Sequence, residues 1–150
     1  MTDYEQFKRL RTWNCIFDDI IRHPDNLKLL LVSSDERKRL AACEFVKEVL
    51  EEKLEEERTQ GNLQEYEVKI IDMNKVNPRV FLEGYPEFFE RSGIHDGKFF
   101  VPIYHNADNH INLSQFAFDR LKPAILSYTP DGFWNIVNSS KRDCYRRLNV

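Results

Sequence analysis

Cysteine is sparse in this chain. Cys15, Cys43 and Cys144 are odd in number and far apart, which excludes a disulfide framework, a C-x-x-C redox pair and a zinc knuckle. Basic charge is not in excess either. The formal net charge is −3 and the pI is near 5.8, so the electrostatic footprint that phosphate-backbone binding leaves on a domain is missing and nucleic acid is disfavoured as a partner. No apolar run approaches the roughly 20 residues that span a bilayer. The amino end, Met1-Thr2-Asp3-Tyr4-Glu5, has neither the basic nor the apolar region of a signal peptide. The expectation is a cytoplasmic protein with reduced, structural thiols. Three catalytic signatures are absent as well: G-x-S-x-G, H-E-x-x-H and G-x-x-x-x-G-K.

What is present is enough apolar material for one core. Hydrophobic residues make up 41% of 150 residues and include 11 Phe, a content that offsets the ordering entropy of one domain and argues against disorder. The first segment repeats apolar residues at Tyr4, Phe7, Leu10, Trp13, Phe17, Ile20 and Ile21 behind a Thr2/Glu5 capping box. This predicts an amphipathic helix over residues 1–23 that His23-Pro24-Asp25-Asn26 stops.

A strand-helix-strand unit follows. Leu27 to Val32 is a nearly unbroken apolar run, the pattern of a strand buried on both faces. Ser33-Ser34-Asp35-Glu36 reads as a capping box, and Leu40, Cys43, Phe45, Val46, Val49, Leu50 and Leu54 give the next helix its buried stripe as far as about Arg58. Gln60-Gly61-Asn62 breaks that helix, and Tyr66 to Asp72 reads as a strand parallel to the first. Asn77-Pro78 opens two short helical pieces through Phe88 and Phe89, interrupted at Gly84-Tyr85-Pro86. Phe99 to Tyr104 is a third strand, Phe116 to Leu121 looks helical, Ala124 to Tyr128 is a fourth strand, and a last helix starts near Phe133. The fold class is a single three-layer α/β domain. Its mostly parallel sheet has about four strands flanked by helices, and residues 138–150 form a loose basic tail.

Three groups of residues carry candidate chemistry. Ser33, Ser34 and Asp72 stand where open α/β sheets bind ligands, at strand carboxyl ends. The loop after the first strand has no glycine with which to wrap a phosphate, and Asp35 repels one, so capping is the simpler role of its serines. His105, Asp108 and His110 could place two imidazoles and a carboxylate across a turn, yet they lack the fourth ligand or the nearby base of a zinc site. No cofactor or metal is assigned. Phe88, Phe89, Phe133, Trp134, Arg146 and Arg147 are candidate partner-binding residues, while the run Glu51, Glu52, Glu55, Glu56 and Glu57 reads as a solvated helix face.

Two family resemblances touch parts of the chain. Lys98-Phe99-Phe100-Val101-Pro102-Ile103-Tyr104-His105-Asn106-Ala107, followed by Ala124 to Pro130 and the Phe133-Trp134 helix, resembles the end of a SEFIR domain, a TIR-related module of interleukin-17 receptors and their adaptors. The Trp13 helix leading through Asp25-Asn26 into Leu27 to Ser33 is similar to a helix-strand step of that family. A complete SEFIR domain carries further amino-terminal strands that have no place here. The resemblance implies a scaffold that binds other such domains, with no catalytic residues to transfer. The second resemblance is to thioredoxin or glutaredoxin, because Val101-Pro102 enters a strand as that family's cis-proline step does. Ser33 and Ser34 lie near where its redox cysteines stand, which implies a redox-inactive, binding-only version.

Both resemblances lead to a non-catalytic protein-protein interaction or adaptor domain in signalling, away from membranes, with homo-oligomerisation open. The alternative is a small enzyme or ligand-binding domain using Ser33, Ser34, Asp72 and the His105 to His110 turn.

Overall fold

The first strand, β1 (Lys28–Val32), is buried at all five positions, as a Leu-Leu-Leu-Val run must be if water is to be kept from both of its faces. The computed structural model describes residues 28–75, 93–95, 97–109, 124–139 and 146–150. Helix α1 (Glu36–Thr59) follows β1 and buries Arg39, Ala42, Cys43, Phe45, Val46, Leu50 and Leu54. Its cap lies two residues later than the capping-box pattern suggests. Asp35 is extended and its carboxylate accepts the Arg37 N–H at 3.0 Å, while Ser33 Oγ accepts the Asp35 N–H at 3.1 Å. The serine shapes the approach and the aspartate takes the helix donor. At the other end Gly61, with φ +83°, adopts the left-handed conformation in which the Gly61 and Asn62 N–H groups bond the Arg58 and Glu57 carbonyls.

The remaining elements are β2 (Glu65–Asp72), β3 (Gly93–His95), β4 (Lys98–His105), a 3₁₀ turn (Ala107–Asn109), β5 (Ala124–Tyr128), α2 (Pro130–Ser139) and β6 (Arg146–Asn149). The five longer strands form a parallel sheet in the order β2-β4-β5-β1-β6, and β3 pairs antiparallel with β4. The strands β1 and β2 are parallel, as the strand-helix-strand pattern predicts, but β4 and β5 lie between them. Leu29, Leu31, Val68, Phe99, Val101, Ile103, Ile125 and Leu148 pack with the α1 stripe into one core. Leu30, Tyr104, Leu126 and Tyr128, on the opposite pleat, are fully buried too. Helix α2 belongs to that second face, where the Phe133 ring lies 6.1 Å from the Tyr128 ring. The domain is therefore α/β with helices on both sides of its sheet.

Pro102 sits inside β4, where its missing N–H would ordinarily break a ladder. The structure resolves this on one flank. There β3 pairs with Lys98, Phe99 and Phe100, and β5 pairs with Ile103 and Tyr104. Pro102 falls at the handover, opposite neither strand.

The carboxyl end corrects the sequence reading. Arg146–Asn149 is an edge strand parallel to β1, not a loose tail. Leu148 is buried against the α1 core and Val150 N–H bonds the Val32 carbonyl at 3.0 Å. One buried leucine and a ladder to β1 outweigh the charge of the arginines, which marks an edge position. The last helix also starts earlier, at Pro130, whose missing N–H costs nothing in a first turn. The amphipathic helix predicted over residues 1–23, the helical pieces after Asn77, and the Phe116 to Leu121 segment lie outside the described residues. No helix among the described residues is long and apolar enough to cross a membrane.

Leu31 is fully buried between β5 and β6 and faces α1. Leu31→Ala is expected to lower unfolding free energy by about 2–5 kcal/mol in urea titration. Glu52→Ala, on the exposed face of α1, should stay within about 0.5 kcal/mol of wild type.

Candidate functional site

Helix α1 leaves β1 over one face of the sheet and α2 leaves β5 over the other, and these two strands are neighbours. Their carboxyl ends are thus a topological switch point, the place where open α/β sheets form a crevice. The polar residues of this end come from four strands and one helix.

Arg39, in the second turn of α1, is 4% exposed. Its Nη1 donates to the Ser33 carbonyl at the end of β1 at 2.5 Å, and its Nη2 donates to Asn106 Oδ1 at 2.7 Å. Asn106 stands just past β4 with φ +58°, a conformation that asparagine tolerates better than most side chains. Its Nδ2 donates to Asp72 Oδ1 at the end of β2 at 3.1 Å. The amide thereby relays a buried guanidinium to a carboxylate without direct contact between the charges, each bond being charge-assisted. Among the described residues, Arg39 Nε has no hydrogen-bond partner.

Beside this relay lies His105, 1% exposed. Its Nδ1 is 2.7 Å from Ser127 Oγ on β5, and its Nε2 is 3.2 Å from Glu36 Oε1 in the first turn of α1. Ser127 Oγ also accepts the Asn106 N–H at 3.2 Å. An Nε2–H donating to Glu36, with Nδ1 accepting the Ser127 hydroxyl, satisfies both ring nitrogens and the serine O–H. Cys43 Sγ lies 4.0 Å from His105 Nδ1. Burial pushes the Cys43 thiol up to about 12, against the opposing pull of Ser127 and the Arg39 charge. The sulfur is consequently a protonated thiol, not a nucleophile.

Serine, histidine and glutamate in series invite comparison with a hydrolytic triad. The geometry does not permit that chemistry here. Ser127 is fully buried, so no substrate carbonyl reaches its hydroxyl, and the oxygen is already bonded on two sides. The arrangement holds the strand ends in register.

The sequence-predicted residues are distributed as follows. Ser33 caps the Asp35 N–H and Ser34 is exposed. Asp72 accepts from Asn74 N–H and from Asn106. Ser33 and Asp72 are joined through Arg39 and Asn106. His105 turns inward to Glu36 and Ser127, whereas Asp108 accepts the Thr129 hydroxyl at 2.9 Å; His110 lies outside the described residues. Among the described residues no three metal-ligating side chains gather. Phe133 is 3% exposed and Trp134 55%, so only the tryptophan presents its ring to solvent. Arg147 stacks over the Phe133 ring at 4.2 Å and donates through Nε to Asn149. Phe88 and Phe89 lie outside the described residues, and Arg146 is placed only as part of the β6 backbone. Sequence reasoning missed Arg39, Asn106 and Ser127. A cation within the apolar stripe of α1 was the available signal for Arg39.

An open groove of about 820 Å³ runs along α1, lined by Glu48, Glu51, Glu52, Glu55, Glu56, Thr59 and Gln60. Arg58 pairs with Glu55, Lys47 with Glu51 and Lys53 with Glu56, so the acidic run is a partly neutralised helix face. Comparison with protein-family models, with curated proteins and with solved structures finds no match to this chain.

Two outcomes follow from the relay and the thiol. Asn106→Gly should lose about 1–3 kcal/mol because Arg39 and Asp72 each lose a partner. Asn106→Ala should fall below Asn106→Gly by about 1 kcal/mol because it adds a methyl to a left-handed residue; urea titration giving the reverse order contradicts this role. For Cys43, a folded pKa raised from 9.0 to about 12 gives stability that is full below pH 9 and lost as pH climbs toward 12, since the unfolded thiol ionises first. The loss of stability between pH 8 and 10 is expected to be shallower in Cys43→Ala than in wild type.

Proposed function

We propose that this chain is a non-catalytic protein-protein interaction domain, an adaptor of signalling type working in the cytoplasm, and that it presents Trp134 to a protein partner. The observation that carries this reading is the Phe133-Trp134-Arg147 arrangement on α2 and β6. Trp134 is the one exposed large hydrophobic residue among the described residues. Its ring stands edge-on to that of the buried Phe133 at 5.4 Å. A tryptophan held in this way offers a large contact area at little conformational cost, and Trp and Arg are the side chains that most often dominate binding energy at interfaces. Arg147, already stacked on Phe133, supplies donors at the rim.

Phe133 is unsuited to a test because its removal empties the core beneath the surface. Trp134→Ser is the informative change. It should leave urea-induced unfolding within about 0.5 kcal/mol of wild type. In affinity purification from native extract with quantitative mass spectrometry, it should reduce recovery of specific partners about tenfold or more. Equal recovery with wild type and variant would remove this surface from consideration.

A further inference from the structure

We infer that the partner segment received at Trp134 is acidic, with an Asp or Glu carboxylate bound by Arg147 while a neighbouring apolar side chain covers the indole. This deepens the Trp134 reading and rests on it. The two groups share one support. The Trp134 ring stands 5.4 Å from the Phe133 ring, and Arg147 Cζ lies 4.2 Å from the centre of that same ring. Trp134 is 55% exposed and Arg147 is exposed as well, while Phe133 between them is buried. Adjacent or alternate residues of one extended segment cover so short a step.

Arg147 is prepared for a carboxylate. Its charge rests on the Phe133 ring, and its Nε donates to Asn149 Oδ1 at 3.1 Å. These two contacts fix the guanidinium without drawing on Nη1 or Nη2, so a partner bound by those nitrogens finds much of the side-chain freedom already lost. A carboxylate can accept from both in one plane. An apolar group seated on the indole excludes water beside that pair and strengthens it.

The charge around the indole selects among anions. Asp131 is exposed and stands three residues before Trp134, which places it beside the tryptophan on the surface of α2. A phosphate group carries nearly two charges and is recognised by clusters of arginine. The Arg147 guanidinium with a carboxylate close by suits a single negative charge instead. Asp131 also sets the direction of binding, because it repels a second carboxylate on its own side. The acidic residue of the partner therefore lies toward β6 and the apolar residue over α2.

Selection of a random dodecapeptide phage library on the immobilised full chain tests the proposal. Wild type is expected to enrich peptides with Asp or Glu beside, or one position from, an aliphatic or aromatic residue, the acidic residue about threefold or more above its frequency in the unselected library. By fluorescence anisotropy, a synthetic peptide of the enriched sequence should bind Arg147→Glu and Arg147→Gln about tenfold more weakly than wild type. Arg147→Lys, which keeps the charge and loses the planar fork, should cost about threefold. Selection on Arg147→Glu should exchange the acidic residue for Lys or Arg. Circular dichroism checks the fold of each variant, and Arg147→Gln supplies the test if charge reversal disturbs β6. Selection on Trp134→Ser separates the two readings, since the same peptides enriched there would remove the Trp134 surface itself. Peptides that need Trp134 yet lack the acidic residue, or that bind Arg147→Glu as tightly as wild type, would overturn the inference and leave that surface standing. Absence of enrichment by wild type would overturn it too.

Discussion

The guanidinium of Arg39 fixes where the strands of this domain end. It leaves helix α1 at a position where an apolar residue would serve packing equally well, and it is nearly removed from water. Such a charge is tolerated only when polar groups replace its hydration. The Ser33 carbonyl and the Asn106 side chain do so, and Asn106 passes the charge on to Asp72. Through these bonds α1, β1, β4 and β2 are held at one level, and Ser127 adds β5 by accepting from the Asn106 N–H. The left-handed backbone of Asn106 is the local cost of aiming one amide at both a cation and an anion.

The same constraint decides what the carboxyl end can do. In a sheet with this chain order the switch point between β1 and β5 is the natural place for a ligand. Here the polar groups that converge on it are engaged with one another. His105 bridges Glu36 and Ser127, and Cys43 is locked as a thiol by burial. Chemistry-bearing residue types serve as mortar between helix and sheet. Among the described residues, the large hydrophobic side chain left facing outward is Trp134.

Much of this was legible along the chain. The Leu-rich run of β1, the helix from Glu36, the alternation of β2 and the short apolar run of β5 each occur where the pattern puts them, within one or two residues. The site was legible only in part. Ser33, Asp72 and His105 could be picked out as polar residues at strand ends, but the link between Ser33 and Asp72 runs through Arg39 and Asn106, which are distant in sequence from one or both. A buried arginine looks like a surface residue until the neighbours that bury it are known, and Asn106 looks like an ordinary turn. Phe133 and Trp134 are adjacent and chemically alike, yet the helix turn separates one into the core and the other into solvent.

The sequence by itself determined β1, α1, β2, β4 and β5, because helix and strand follow from periodicities of 3.6 and 2 and from caps and breaks whose hydrogen bonds close within a few residues. Only the tertiary structure decided that β4 and β5 come between β1 and β2, that Pro102 falls at the handover from β3 to β5, and that Arg146–Asn149 becomes a strand. Those outcomes depend on which apolar faces bury one another and which carbonyls meet a buried cation. Such contacts join residues tens of positions apart, and no local period encodes them.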